Sequence, residues 1–380
     1  MALLLTQVYL FIPPYVWFKV SAAATSSLVS DRSLKLRTFL LLKTTNLSSF
    51  EKRAPSAMAF SIGVLQRLPT RVATAGRIVC AVPQGGKVPV APSELEHAMR
   101  PPTNLYTVDS PHTATVLSVK KISGSNAPAE TYHIVLVHDG SFPHWEGQVF
   151  GVMPAPENPF EPGDTEMLRY FSGASSRYGD YFNGRTVSLC VRLVPGTTSE
   201  ILCNSKPGDK IQLTGPTREA MILGDNNTNA THIFVATGTG IAPFRAHLGR
   251  FFKENIPTFT FAGHAWLFHG VSNEDSKLYN HEFIQYRKEY PENFRYDIAL
   301  SREQKNSSGG KMYVQDLFRR HATEVLVMLL KGAYIYLAGR KDMVTPIEDA
   351  LRDAATEIDK DWDGILATLK KNNQWRVEVY

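Results

Sequence analysis

THIFVATGTGIAPFR, residues Thr231–Arg245, is the stretch that decides the fold of this chain. His232 to Ala236 is a short, mostly apolar run that reads as a buried strand. Thr237, Gly238, Thr239 and Gly240 form a glycine-rich turn, and Pro243 then opens a helical stretch to about Lys253. Glycines in such a turn let the backbone approach a phosphate, and the helix start offers unpaired N–H groups and the positive end of its dipole. The spacing is not the usual dinucleotide fingerprint, so this turn alone leaves a ligand-free connection open.

Working outward, Ala265–His269, Arg295–Leu300 and Tyr334–Ala338 repeat the short-strand theme with helical segments between them. Alternation of this kind predicts an α/β parallel-sheet domain over 228–380, with a nucleotide site at the C-terminal ends of its strands. Upstream, Ala114–Lys120, Thr131–Val137, Thr186–Arg192 and Lys210–Leu213 are short segments with a period near two, separated by turn signals such as Pro207-Gly208-Asp209. They predict an N-terminal antiparallel β-barrel over 112–222. Residues 93–111, with Pro101 and Pro102, read as a linker.

Of the 41 Lys and Arg in the 380 residues, eleven fall in 1–92, against two of the 36 acids. The remainder is therefore mildly acidic, which removes the argument for nucleic-acid binding that the total charge of +5 suggests. Residues 1–24 are apolar, are broken by Pro13 and Pro14, and end in Ser21, Ala22, Ala23 and Ala24. That is signal-like, while 25–92, rich in Ser, Thr, Ala and Arg, is transit-like. Together they predict a two-part plastid-targeting leader. Cys80, Cys190 and Cys203 have no metal-ligand spacing and are read as reduced thiols; no metal site is expected.

The segment ending at Leu300 runs into Ser301 and Arg302, where a site selective for NAD tends to carry an acid for the ribose 2′-hydroxyl. A hydroxyl and a guanidinium suit a 2′-phosphate instead. Lys311 and Tyr313, after Gly309-Gly310, add a second cation and a ring that can stack on adenine. Each alone reads as an ordinary surface group; together they favour NADP.

Read whole, Thr237–Arg245, Ala265–Phe268, Ala299–Gln304, Lys311–Gln315 and Gln374–Tyr380 resemble the plant-type ferredoxin–NADP+ reductases over about Ala114–Tyr380. Tyr296–Lys305 is similar to the root-type, non-photosynthetic isoforms in particular. The resemblance implies an FAD-dependent oxidoreductase passing electrons between ferredoxin, an acidic iron–sulfur protein, and NADP(H), in the plastid. It implies that Ser301, Arg302, Lys311 and Tyr313 hold the 2′-phosphate, with Gln315 by the adenine. Thr237–Ala242, with Val271, Ser272, Gly339 and Arg340, would line the pyrophosphate and nicotinamide path. Arg169, Tyr170, Phe171, Ser172, Cys190, Arg192, Thr198 and Ser199 fall to the FAD site. Ser172, Glu378 and Tyr380 are the expected catalytic residues, with Tyr380 stacked where nicotinamide must enter.

Several positions depart from the family pattern. Phe171 stands where the family has tyrosine, Ala338 where it has cysteine, and Arg340 and Asp342 where it has leucine and glycine. The 191–200 loop is short and lacks the family's adenine-side tyrosine. Phe171, Ala338 and the short loop keep one alternative open, a low-turnover flavin-binding tether or redox sensor; the other, an NADPH-dependent flavodoxin reductase of the same fold, is opposed by the terminal Val377–Tyr380 and the plastid-like leader. For docking an acidic ferredoxin the candidate cations are Lys120, Lys121, Arg169, Arg177, Lys370 and Lys371.

Overall fold

The computed structural model describes residues 4–12, 16–24, 86–90, 96, 98, 100–155, 167–223 and 227–380. The chain divides into two compact units, Met1–Ala81 and Val82–Tyr380. In the first, β1 (Leu4–Ile12) and β2 (Val16–Ala24) form an antiparallel pair, Leu4 opposite Ala24 and Ile12 opposite Val16. The transit-like stretch 25–85, with Cys80, lies outside the described residues.

The second unit opens with β3 (Val88–Pro89), a strand inside the segment whose composition reads as leader. A two-residue strand is too short to register as a period against that composition. The barrel follows: β4 (His112–Lys121), β5 (Thr131–Val137), β6 (Val149–Pro154), β7 (Arg169–Ser172), β8 (Thr186–Arg192), helix α1 (Thr198–Asn204) and β9 (Lys210–Thr217). Its sheet runs β7-β6-β9-β4-β5-β8, and a bridge from Gly173 to Leu189 joins the two ends. All its pairings are antiparallel. Alternate residues such as Ala114 and Val116 turn inward onto Phe142, Phe150, Leu189 and Leu213.

The α/β half comprises β10 (Thr231–Thr237), α2 (Ala242–Phe252), β11 (Glu254–Asn255), β12 (His264–Val271), α3 (Asn280–Glu289) and β13 (Phe294–Leu300). It continues with α4 (Val314–Arg319), α5 (Ala322–Leu330), β14 (Tyr334–Gly339), α6 (Val344–Glu357), α7 (Trp362–Lys371) and β15 (Trp375–Val379). The sheet order is β13-β12-β10-β14-β15, and every pairing is parallel. Central β10 is buried on both faces, which explains its unbroken apolar run. Sequence order reverses between β10 and β14, and that reversal opens the crevice where an α/β sheet binds ligands.

One hydrophobic cluster joins barrel residues Ala174, Tyr178, Cys190 and Met221 to Phe234, Ala236, Phe244 and Tyr336 of the α/β half. Buried charges cross the same boundary. Arg245 of α2 donates to the Ala174 carbonyl at 2.7 Å and lies 3.0 Å from Asp180, which is 2.8 Å from His133. Within the barrel Arg177 pairs with Glu146 at 2.8 Å, and Arg250 of α2 pairs with Glu96, upstream of the barrel, at 2.8 Å. Arg177 is only 2% exposed, so it belongs to this buried network and not to a docking surface as its charge alone suggested. Cys190 and Cys203 are free and buried, as read. Among the described residues no helix is long and apolar enough to cross a membrane, and no cluster could hold a metal ion.

Candidate active site at the sheet reversal

β10 delivers Thr237 to the mouth of the crevice, and Gly238 turns the chain with φ +53°. At Gly240 an added Cβ would sit 2.2 Å from the Ala338 carbonyl oxygen. At Gly339 (φ +123°) it would sit 2.3 Å from Thr237 Oγ1. The turn after β10 and the end of β14 therefore interlock through two residues that have no side chain. Arg340 N–H closes the junction by donating to Thr237 Oγ1 at 2.7 Å.

Register then sets the chemistry. Ala236 lies opposite Ala338, and Ala338 lies opposite Glu378, so β10, β14 and β15 present these three in a row. Glu378 Oε1 accepts a 2.8 Å hydrogen bond from Ser172 Oγ at the end of β7, while its buried Oε2 has no partner. Burial pushes the Glu378 carboxyl above its ordinary range; the Ser172 bond and the Arg218 charge pull the other way. Beside this pair Tyr380 is 72% exposed, with its hydroxyl 2.6 Å from Thr239 Oγ1. Its backbone is held by its own N–H to Gly339 O (2.9 Å) and by Lys341 N–H to its carbonyl (3.3 Å). Catalytic candidates from two distant stretches of sequence, Ser172 and Glu378–Tyr380, thus meet at one place.

A second group forms at the ends of β12 and β13. Ser301 N–H donates to Val271 O at 3.0 Å and Arg302 N–H to Ser272 O at 2.8 Å, fixing the four residues together. Lys305 bridges Lys311 and brings the latter back beside the turn. Tyr313, 47% exposed, donates its N–H to Asp316 at 2.8 Å and starts α4, with Gln315 in the first turn. Arg302 and Lys311 are exposed, and among the described residues neither is paired with a carboxylate. Two cations left uncompensated beside a serine and an accessible ring suit a phosphate monoester on a nucleoside.

The barrel contributes β7. Arg169 and Tyr170 are exposed, and Phe171 packs partly against the barrel core. The guanidinium of Arg218, which sequence reading missed, lies 5.5 Å from the Tyr170 ring centroid. No motif marks that arginine; it follows β9, which pairs with the same strand, β6, as β7 does. Thr198 and Ser199 are buried at the start of α1. Thr198 donates to the Met167 carbonyl, and Ser199 Oγ lies 2.7 Å from Thr197 Oγ1 and accepts from Val194 N–H at 3.0 Å. Cys190 is buried, with burial pushing its thiol up to about 12, while Arg192 is exposed at the end of β8.

The Oxidoreductase NAD-binding domain family matches residues 234–349, the interlocked turn and both nucleotide-side clusters. A chloroplastic ferredoxin–NADP reductase of Arabidopsis thaliana, root isozyme 2, is 46% identical over 95% of this chain and 98% of its own length. The chain belongs to the ferredoxin–NADP reductase family. The embryo isozyme of Oryza sativa subsp. japonica, also chloroplastic, is 51% identical over 77% of this chain and 82% of its own. The solved ferredoxin–NADP+ reductase of Plasmodium falciparum is similar at a TM-score of 0.60 and 29% identity, covering 73% of this chain and 99% of that one. The reductase from the same organism has also been solved with 2′P-AMP, at a TM-score of 0.60 and 28% identity. Family, fold and root-type likeness all agree with the sequence reading. The chain is an oxidoreductase that binds NADP.

Proposed function

We propose that this protein passes electrons between ferredoxin, an iron–sulfur protein, and NADP(H) through a bound FAD, in the plastid. The observation that carries the proposal is the Ser172–Glu378 hydrogen bond beside the Tyr380–Thr239 contact. It puts the exposed edge of the barrel within one side chain of the nucleotide turn.

The residues of the barrel fit a flavin. Arg169 and Tyr170 are accessible on β7, Tyr380 stands exposed near them, and Phe171 offers an aromatic face without a phenol. Compared with tyrosine, that costs about one hydrogen bond, or about 0.5–1.5 kcal/mol of flavin affinity. Arg169 would pair with the FAD diphosphate, aided by N–H groups near Ser199. When bound, FAD supplies the link between one-electron donors and hydride acceptors.

On the nucleotide side, Ser301, Arg302, Lys311 and Tyr313 hold the 2′-phosphate and Gln315 borders the adenine. Thr237–Gly240, with Val271, Ser272, Gly339 and Arg340, lines the path inward. Tyr380 closes that path until nicotinamide displaces its ring. Ser172 orients the carboxamide end, and Glu378 holds or accepts the accompanying proton at Oε2. The two-part leader accounts for the address.

Purification of the chain from residue 82 onward tests the reading. A flavin absorption spectrum and NADPH-dependent ferredoxin reduction are expected, with ferredoxin turnover falling steeply in added salt and dye reduction little changed. A colourless, inactive protein overturns it.

A further inference from the structure

Arg340 occupies the junction between the two halves of the nucleotide site. Its backbone N–H is bound to Thr237 Oγ1 at 2.7 Å, so the residue is fastened to the first side chain of the glycine turn. The side chain is 70% exposed. Its guanidinium is nevertheless occupied: Nε lies 3.0 Å from Asp342 Oδ1 and 3.1 Å from Oδ2, and Nη2 contacts Oδ2 as well.

An exposed pair two residues apart contributes little to folding. Both side chains are exposed in the turn that precedes α6. What the pair does is fill a planar donor set with a carboxylate, the same two-oxygen geometry that a phosphate presents. We propose that Arg340 is a specificity-determining residue for the nucleotide's diphosphate, and that Asp342 is an internal anion occupying its guanidinium until the nucleotide arrives. The proposal rests on the reading of this crevice as the NADP(H) site.

Arg340 and Asp342 then act in opposition. The arginine adds a cation where two phosphates pass, and the aspartate competes for it at the high effective concentration that two residues of separation ensure. Binding must exchange one ion pair for the other. The nucleotide is therefore held more loosely than the arginine alone would hold it, and product leaves sooner.

The test is a double-mutant cycle on Kd for NADP+, measured by calorimetry, with KM and kcat for NADPH alongside. Asp342→Asn is expected to tighten NADP+ about threefold to tenfold, and Arg340→Leu to weaken it by a similar factor. The double variant should match Arg340→Leu, because Asp342 acts only through the guanidinium. If Asp342→Asn tightens binding equally in the Arg340→Leu background, the aspartate repels the ligand directly and the proposal falls. 2′-AMP, which lacks a diphosphate, should bind all four proteins alike; equal shifts for it and for NADP+ would also overturn the idea. Asp342→Ser replaces the amide variant should that one fold poorly. A wild type that fails to bind NADP+ would sink the reading of the site itself, which is a separate outcome.

Discussion

Ser172 donates a 2.8 Å hydrogen bond to Glu378 across 206 residues of sequence, from the end of strand β7 of the barrel to the edge strand of the parallel sheet. Because Glu378 Oε2 is buried without a partner, the carboxyl has one oxygen engaged and one available. Burial raises its pKa, so as pH falls it takes up a proton earlier than an ordinary glutamate. Activity that needs the ionised form should fall on the acid side, and Glu378→Gln should flatten that limb while lowering turnover by about a hundredfold. Ser172→Ala removes a bond that lowers this pKa, so the limb should move to higher pH. A pH–rate profile of the three proteins checks both expectations.

Tyr380 is held at its hydroxyl by Thr239, and in the proposed function its ring moves to admit nicotinamide. Tyr380→Phe keeps the ring and loses that bond, worth about 0.5–1.5 kcal/mol. NADP+ should bind roughly twofold to tenfold more tightly, as read by titration of the flavin spectrum. An unchanged Kd would mean that the ring is not the gate.

Gly240 cannot carry a side chain without striking the Ala338 carbonyl. Gly240→Ala should cost about 1–3 kcal/mol of stability through forced backbone displacement and should abolish NADP+ affinity. Thermal melts and calorimetry on the same sample separate the two effects.

Ala338 is buried between Ala236 and Glu378, and the proposed function puts the meeting point of the two rings beside it. A larger, polarisable atom there should restrict the nicotinamide, and misplacement of reacting atoms costs about tenfold to a hundredfold in rate. Ala338→Cys should therefore speed hydride transfer in stopped-flow measurements. No gain would show that the alanine is innocent.

Glu254, buried in β11 and hydrogen-bonded by Ser176, has its carboxyl pushed up to about 8 by burial and by the neighbouring Glu146. The folded protein favours the neutral form, so this contribution is full below the ordinary carboxylate range and is lost as pH rises toward 8. Glu254→Gln should melt above the wild type at pH 8 and lose that advantage at pH 5.

Much of this architecture was legible in the sequence. Strands β10, β12, β13 and β14 announced themselves because central parallel strands are apolar on both faces, and the barrel strands because one face of each is wet. The nucleotide-side residues were legible because they cluster within short stretches around turns. The Ser172–Glu378 contact was not, since no periodicity links positions so far apart; the family resemblance only named both as catalytic candidates. Arg177 was misjudged for the same reason: its partners Glu146 and Glu96 come from other elements, and nothing local shows that they cover it. The Arg340–Asp342 pair was visible as a departure in composition, but its bond to Thr237 depends on register.

Strand β3 runs parallel to β11, with Val88 N–H donating to Lys253 O at 2.7 Å, Val90 buried in the shared core, and Glu96 pairing with Arg250. The consequence concerns maturation. A processing protease that removed the leader at its compositional end, residue 92, would strip the sheet edge at β11 and the Val90 anchor, and would detach Glu96 from its support. A cut before Val88 would keep β3 and the Val90 anchor with the folded part of the chain. The compositional end of the leader and the first strand of the folded unit therefore overlap, and β3 belongs to the fold.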